Sequence, residues 1–257
     1  MDYALIANEA RKKVLSMIYE AQVSHVGSNF SVIDILTVLF EKKTKDDLVI
    51  LSAGWKAAAF YYFLAKKGFI KEEELDTYCK EGSRLIGLTE PNVPGVHFAG
   101  GSMGLSLPAA VGFALAKKMK GEEGTIYVIM SDGELQCGTT WESALIAAHH
   151  ELDNLVVIID HNGYCAMGKT KDILDAYFPA KDWSYSLVDG HDHGALEARF
   201  EGKFFNGEEI GPKVIFAGTT KGYPISFMSN NNTFHYKAPS IDEYKQAMVE
   251  LSDEIKK

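Results

Sequence analysis

A chain of 257 residues, 46% hydrophobic and 24% charged, has the composition of an ordinary globular protein and can bury the core of one α/β domain. Its formal net charge of −9, with no extended run of Lys or Arg, excludes the usual basic nucleic-acid surface. No apolar stretch approaches the roughly 20 residues that span a bilayer. Met1-Asp2-Tyr3 opens no signal peptide, and the three scattered cysteines, Cys79, Cys137 and Cys165, suit a reducing compartment, so a cytoplasmic location without membrane contact is expected.

Apolar positions recur at helical spacing over 4–23 (Leu5, Ile6, Val14, Leu15, Ile18, Val23) and predict an amphipathic helix that ends at Ser24-His25-Val26-Gly27-Ser28. Ser31 stands where it would cap a second helix through Asp34, Leu36 and Phe40. An apolar run over 48–52 predicts a buried strand, followed by a helix over 56–67 and a charged helix over 72–82. The glycine-dense segment from His97 to Gly104 precedes a helix over 107–119, and such a loop can present backbone N–H groups to an anion.

Two apolar runs, 125–130 and 155–160, flank a helix-like segment rich in Ala and His and predict a βαβ unit. The first strand ends on Ser131-Asp132-Gly133 and the second on Asp160-His161-Asn162-Gly163, so Asp132 and Asn162 are expected side by side at the carboxyl edge of a parallel sheet. A carboxylate oxygen, an amide oxygen and a loop carbonyl there can together hold Mg²⁺. Further on come a helix near Asp172 to Tyr177, a strand over 184–188, a turn from Asp189 to His193, and a strand over 213–217. Ser240 opens a terminal amphipathic helix ending in Lys256-Lys257, and no internal repeat, linker or low-complexity segment interrupts the chain. The expected fold is one α/β domain over 1–257, a doubly wound, mostly parallel sheet with helices on both faces.

Plain readings stand beside these. Asp132-Gly133 alone is an ordinary strand-to-helix turn, and His25 before a Gly serves as a helix C-terminal cation. Trp55 plugs the start of its helix or stacks on a substrate, while Cys137 and Cys165 are small fillers or reactive thiols. His191 and His193 around Asp192 belong to a turn or hold a metal.

The run from Glu134 to Gly163, opened by Asp132-Gly133 and closed on Asn162, resembles the thiamine diphosphate (ThDP) fingerprint, and in particular the diphosphate-binding half of transketolase. The resemblance implies that Asp132, Asn162 and the main-chain carbonyl of Tyr164 ligate Mg²⁺ or Ca²⁺. It also implies that Gly133 lets the backbone approach the diphosphate, and that Gly101, Met103, Glu134 and His235 contact the cofactor. Met167-Gly168-Lys169-Thr170 resembles the loop closing over the diphosphate, and Asp-Gly-His-Asp at 189–192 is a strand-to-helix turn in this family. His25 matches the histidine of a His-x-Gly-Ser segment, His97 a substrate-facing histidine, and His235 one that approaches the cofactor and the donor sugar.

The chain also departs from the family. Ser52-Ala53-Gly54-Trp55 stands where Ser-Lys-Gly-His is usual, and Leu105-Ser106 where Gln-Gly is usual. Ser131 replaces a glycine, Cys137 a glutamate of a carboxylate cluster at the dimer interface, and Gly218 the lysine of Ala-Lys-Thr, while Glu142 and Lys221 remain.

By resemblance the chain is half of an enzyme, because the pyrimidine end of ThDP needs a second domain of similar architecture that supplies a glutamate. That C-terminal, pyrimidine-binding half is expected on a separate chain, the pair forming a heterotetramer. The expected activity is transfer of a two-carbon ketol unit from a ketose to an aldehyde, with His25, His97 and His235 moving protons near neutral pH and orienting sugar hydroxyls. Trp55, His25 and His97 would meet a sugar that is specialised, because the donor site is rebuilt. Two alternatives are decarboxylating carboligation of a 2-oxo acid and a non-catalytic scaffold role.

Overall fold

The computed structural model describes residues 1–166, 168–170, 182–203 and 211–254. The predicted helix at 172–177, Met167 and the final Lys256-Lys257 lie outside the described residues. Five strands, β1 (Leu48–Leu51), β2 (Ile126–Ser131), β3 (Leu155–His161), β6 (Ser184–Asp189) and β7 (Lys213–Gly218), form one sheet in the order β1-β2-β3-β7-β6. Every pairing in it is parallel. A separate two-stranded ribbon joins β4 (Tyr164–Cys165) to β5 (Gly168–Lys169).

The central strands β2 and β3 read as unbroken apolar runs because both faces of the sheet are covered there, whereas the edge strand β6 alternates and exposes Tyr185 and Leu187. Side chains alternate between two cores. Ile126, Val128 and Met130 of β2, with Leu155, Val157 and Ile159 of β3, face α5 (Ser106–Lys120) and α6 (Gly138–His149). Tyr127, Ile129, Val156 and Ile158 face the other way, onto α1 (Tyr3–Ala21), α3 (Ile33–Lys42) and α4 (Ala57–Lys66). Two further helices, α7 (His193–Phe200) and α8 (Ile241–Glu254), add Leu196, Ala247 and Leu251 to that second core. The expected doubly wound α/β fold is therefore the observed one.

Helix ends follow local chemistry. Asp2 caps α1 by accepting from Leu5 N at 3.0 Å. At the other end of a helix, Gly121 closes α5 in a left-handed conformation (φ 65°), behind Lys117, Lys118 and Lys120 in the last turn. Glu243 and Ser240 bond reciprocally at the start of α8, as predicted for a helix opened by Ser240.

Two expectations are corrected. Residues 72–82 do not make a charged helix: only a 3₁₀ segment, Glu72–Thr77, forms, because the chain leaves helical geometry at Tyr78 (ψ 124°) and Cys79 (φ 53°), whose N–H donates to Leu85 O at 2.8 Å. Ser31 caps nothing, since it ends a short helix, α2 (Val26–Ser31), and Val32 leads directly into α3. Its hydroxyl donates instead to Asp160 Oδ2 at 2.6 Å, which ties α2 to the end of β3.

The glycine-dense loop approaches the end of β1 so closely that a Cβ on Gly100 would collide with the carbonyl oxygen of Leu51. Gly100→Ala is expected to cost ~1–3 kcal/mol, read as a lowered urea midpoint. By contrast, Gly112→Ala in α5, where a Cβ meets nothing within 4 Å, should leave the midpoint equal or higher.

Candidate functional site

The carboxyl ends of β1, β2 and β3 and the loops before α2 and after β7 enclose a cavity of about 190 Å³. His25, Trp55, Lys56, Gly101, Met103, Gly133, Asn162, Tyr164 and His235 are among the residues that line it. Eight residues expected from the sequence thus meet at one place, together with Lys56, which was not expected. His97 does not line the cavity and is exposed on its loop.

Asp132 follows β2 and is 2% exposed, between Ser131 and Gly133 of the cavity lining. Its Oδ2 accepts from Gly163 N at 2.7 Å and from Thr170 Oγ1 at 3.1 Å, which brings the β2 and β3 ends together as predicted. Asn162 Oδ1 accepts from Tyr164 N at 3.1 Å. A carboxylate, an amide oxygen and a main-chain carbonyl are donors that suit Mg²⁺ or Ca²⁺ rather than a softer metal, and Asp132, Asn162 and Tyr164 are the residues here that could supply them.

Glu134 is placed differently from a cofactor contact. It is fully buried off the cavity, accepts from Ser131 N at 2.9 Å, and receives the hydroxyl of Ser52. Burial raises its pKa against these donors. Glu134 is thus a strut joining the ends of β1 and β2. The amides of the glycine loop are likewise engaged: Gly100 N donates to Thr89 O at 3.0 Å and Gly101 N to Ser52 O at 2.9 Å. The glycines there permit close backbone approach and do not leave these two N–H groups for an anion.

His25 sits at the entry to α2 with φ 72°, a left-handed conformation uncommon outside glycine. Its ring lies 4.9 Å from that of His235 and 6.3 Å from Trp55. Ser24 Oγ bonds its Nδ1 at 2.7 Å. Lys221 Nζ lies 2.6 Å from His235 Nδ1 and donates to it, so the proton of the neutral ring is on Nε2. Trp55 is half-buried on the cavity wall and acts as a lining residue more than a plug.

Burial, with the charge of Lys221, lowers the pKa of both His25 and His235 to about 4. The expectation that they titrate near neutrality is corrected: both are neutral hydrogen-bonding groups at pH 7. Between pH 6.5 and 4 the unfolded chain takes up protons that the native chain refuses, so stability is lost as pH falls through this window. The melting temperature is expected to drop over that range, and the drop should flatten in His25→Asn and His235→Asn.

Asp160, at the end of β3 and fully buried, was not foreseen as a centre of the site. It receives the ammonium of Lys56 and the hydroxyls of Ser31 and Thr219. Burial opposes its ionisation, but the charge of Lys56 and these hydrogen bonds outweigh burial, and its pKa is lowered. Lys221 is 1% exposed, and burial followed by the charge of Lys56 brings its pKa down to about 8. A charged residue inside the apolar segment Gly54-Trp55-Lys56-Ala57-Ala58-Ala59 was the signal that could have located Lys56.

The turn after β6 supports the site from behind. His191 and His193 do not join as metal ligands: His191 Nδ1 reaches Asp34 Oδ2 at 2.7 Å and His193 Nε2 reaches Asp34 Oδ1 at 2.9 Å. Thr220 N donates to His191 Nε2 at 2.8 Å, which fixes the loop that carries Thr219 to Asp160 and Lys221 to His235.

Comparison with known proteins agrees with this geometry. The family model described as transketolase, thiamine diphosphate binding domain, matches residues 3–254. One of the subunits of the apulose-4-phosphate transketolase of Actinobacillus succinogenes is 38% identical over 246 residues, covering 90% of this chain and 88% of its own. A 6-deoxy-6-sulfo-D-fructose transketolase subunit of a Clostridium species is 32% identical over 96% of this chain and 95% of its own. Human transketolase is 30% identical over 97% of this chain but only 42% of its own length. The solved transketolase of Campylobacter jejuni superposes with a TM-score of 0.89 at 24% identity, over 98% of this chain and 43% of that one. The chain belongs to the transketolase family, as its thiamine diphosphate binding domain.

Proposed function

We propose that this chain is the diphosphate-binding subunit of a two-chain, transketolase-like transferase that moves a two-carbon ketol unit from a ketose to an aldehyde. The observation that carries the reading is the cavity at the carboxyl edge, where Asp132, Asn162 and Tyr164 come together beneath the neutral pair His25 and His235. These three residues would hold Mg²⁺ through oxygen, with Gly133 leaving room beside it for the diphosphate. When bound, ThDP supplies a carbon nucleophile and an electron sink. In the reaction the C2–C3 bond of the ketose breaks, an aldose two carbons shorter leaves, and a new bond forms to the acceptor's aldehyde carbon.

His235 offers an Nε2–H held in place by Lys221, and His25 stands against it, so the two orient sugar hydroxyls and the carbonyl by hydrogen bonding. Trp55 on the wall gives the sugar an apolar face in place of a basic one. The relatives named above for apulose 4-phosphate and 6-deoxy-6-sulfofructose support a specialised sugar, and their naming as subunits supports a separate partner chain; that chain would bind the pyrimidine end, and the pair would assemble as a heterotetramer. The three cysteines are free thiols, which supports a reducing, cytoplasmic place. Among the described residues no helix is long and apolar enough to cross a membrane.

The test is to assay the co-purified complex, with ThDP and Mg²⁺, for ketol transfer from a panel of ketose phosphates and for CO₂ release from pyruvate. Transfer from an unusual ketose, faster than from xylulose 5-phosphate, is the expected result. CO₂ release without ketol transfer would replace the reading by carboligation, and neither activity would replace it by a scaffold role.

A further inference from the structure

Lys56 ends the 3₁₀ turn Gly54–Lys56, and its fully buried side chain belongs to the wall of the cavity. A lysine ammonium carries three N–H donors and no acceptor. Among the described residues Asp160 Oδ2 is the single acceptor these donors meet. Asp160 in turn is well supplied, taking the Ser31 hydroxyl at 2.6 Å, the Thr219 hydroxyl, and Asn162 Nδ2 at 3.5 Å. The carboxylate therefore has an ample set of donors while the ammonium lacks acceptors.

A buried charge with unfilled hydrogen-bonding capacity costs free energy unless a ligand or water completes it. The local charges sharpen the point, because Lys221 is a second buried ammonium close enough for Lys56 to disfavour its charged form. The donors of Lys221 are taken by Asn232 Oδ1 at 2.8 Å and His235 Nδ1 at 2.6 Å, whereas an ammonium with donors to spare in the cavity wall, as at Lys56, is a favourable setting for an anion with several oxygens.

We infer that Lys56 is an anion-binding residue of this cavity, anchored by Asp160 and contacting a diphosphate oxygen of the cofactor. The inference rests on the cavity being the ThDP site. It assigns Lys56 a role beyond neutralising Asp160, in a chain where Ala53 and Gly218 stand at positions that the family pattern fills with lysine.

The decisive variant is Lys56→Met/Asp160→Asn, which removes both charges of the pair without leaving either alone. Binding of Mg·ThDP and of Mg·pyrophosphate to the co-purified complex, stripped of cofactor, is followed by quenching of tryptophan fluorescence, Trp55 being on the cavity wall. Both affinities are expected to fall at least tenfold while the melting temperature stays near that of the parent. Where the double variant does not fold, Lys56→Gln, which keeps one donor for Asp160, is measured instead with the same expectation.

Unchanged affinity for both ligands would overturn the inference, and it would do so even if the KM of a phosphorylated sugar rose, since Lys56 would then meet the sugar. Asp132→Asn separates the two levels. If Asp132→Asn abolishes binding and the Lys56 variant does not, the role of Lys56 fails alone. If neither changes binding, the cofactor site itself is misplaced.

Discussion

Replacing Asp132 with Ala is expected to abolish ThDP-dependent activity and cofactor retention while leaving the chain bound to its partner. The carboxylate sits at the end of β2, between Ser131 and Gly133 of the cavity lining, and its charge is the part of the proposed oxygen set that neutral groups cannot replace. Loss of an outer partner of a metal ligand lowers metal affinity by about 10–100-fold, so loss of the ligand itself should exceed that range. The same carboxylate also holds Gly163 and Thr170, and Ala would loosen that loop. Asp132→Asn preserves the shape of the turn and isolates the charge. Both variants are checked by metal and ThDP content of the purified complex and by its elution volume. Retained cofactor in Asp132→Asn would remove Asp132 from the metal site.

Asp160→Ala is expected to be the most destabilising substitution in the site. It leaves Lys56 in a fully buried position with no counter-charge, and breaking one side of such a pair costs ~3–5 kcal/mol. A typical domain has only ~5–15 kcal/mol of total stability, so the variant should show a much lower urea midpoint and reduced soluble yield. Asp160→Ala also frees the Ser31 and Thr219 hydroxyls, loosening both α2 and the loop after β7. Adding Lys56→Met to Asp160→Ala should recover part of the loss, because the unpaired charge is then gone. A midpoint within experimental error of the parent for Asp160→Ala would contradict the picture of Asp160 as the hub of this wall.

The strands and the juxtaposition of Asp132 with the Asn162 loop were legible in the sequence for one physical reason. A parallel strand covered on both faces is a plain apolar run, and the residue that ends it is polar where the sheet edge opens, as at Asp132 and Asn162. Side-chain partners across the fold were not legible. Nothing local says that Ser31 reaches Asp160, 129 positions away, or that Glu134 braces Ser52, because those bonds exist only once the strand ends meet. The segment at 72–82 has helix-favouring residues and the apolar set Leu75, Tyr78 and Cys79, yet Cys79 turns left-handed to bond Leu85, a contact no local propensity reveals. The histidines could be placed from their motifs, while their neutrality depended on burial and on Lys221, both products of the tertiary structure. His97, matched by its motif, is exposed on its loop, so any role against substrate requires the surface that a partner would provide.

The most direct measurement is the ThDP and Mg²⁺ content of whatever complex this chain forms when drawn from its native lysate. Stoichiometric cofactor and metal, in a complex with a second chain of ThDP-enzyme architecture, is the predicted result. A stable partner without cofactor, even after ThDP and Mg²⁺ are supplied, would contradict it and leave the chain as a scaffold that kept the fold of an enzyme.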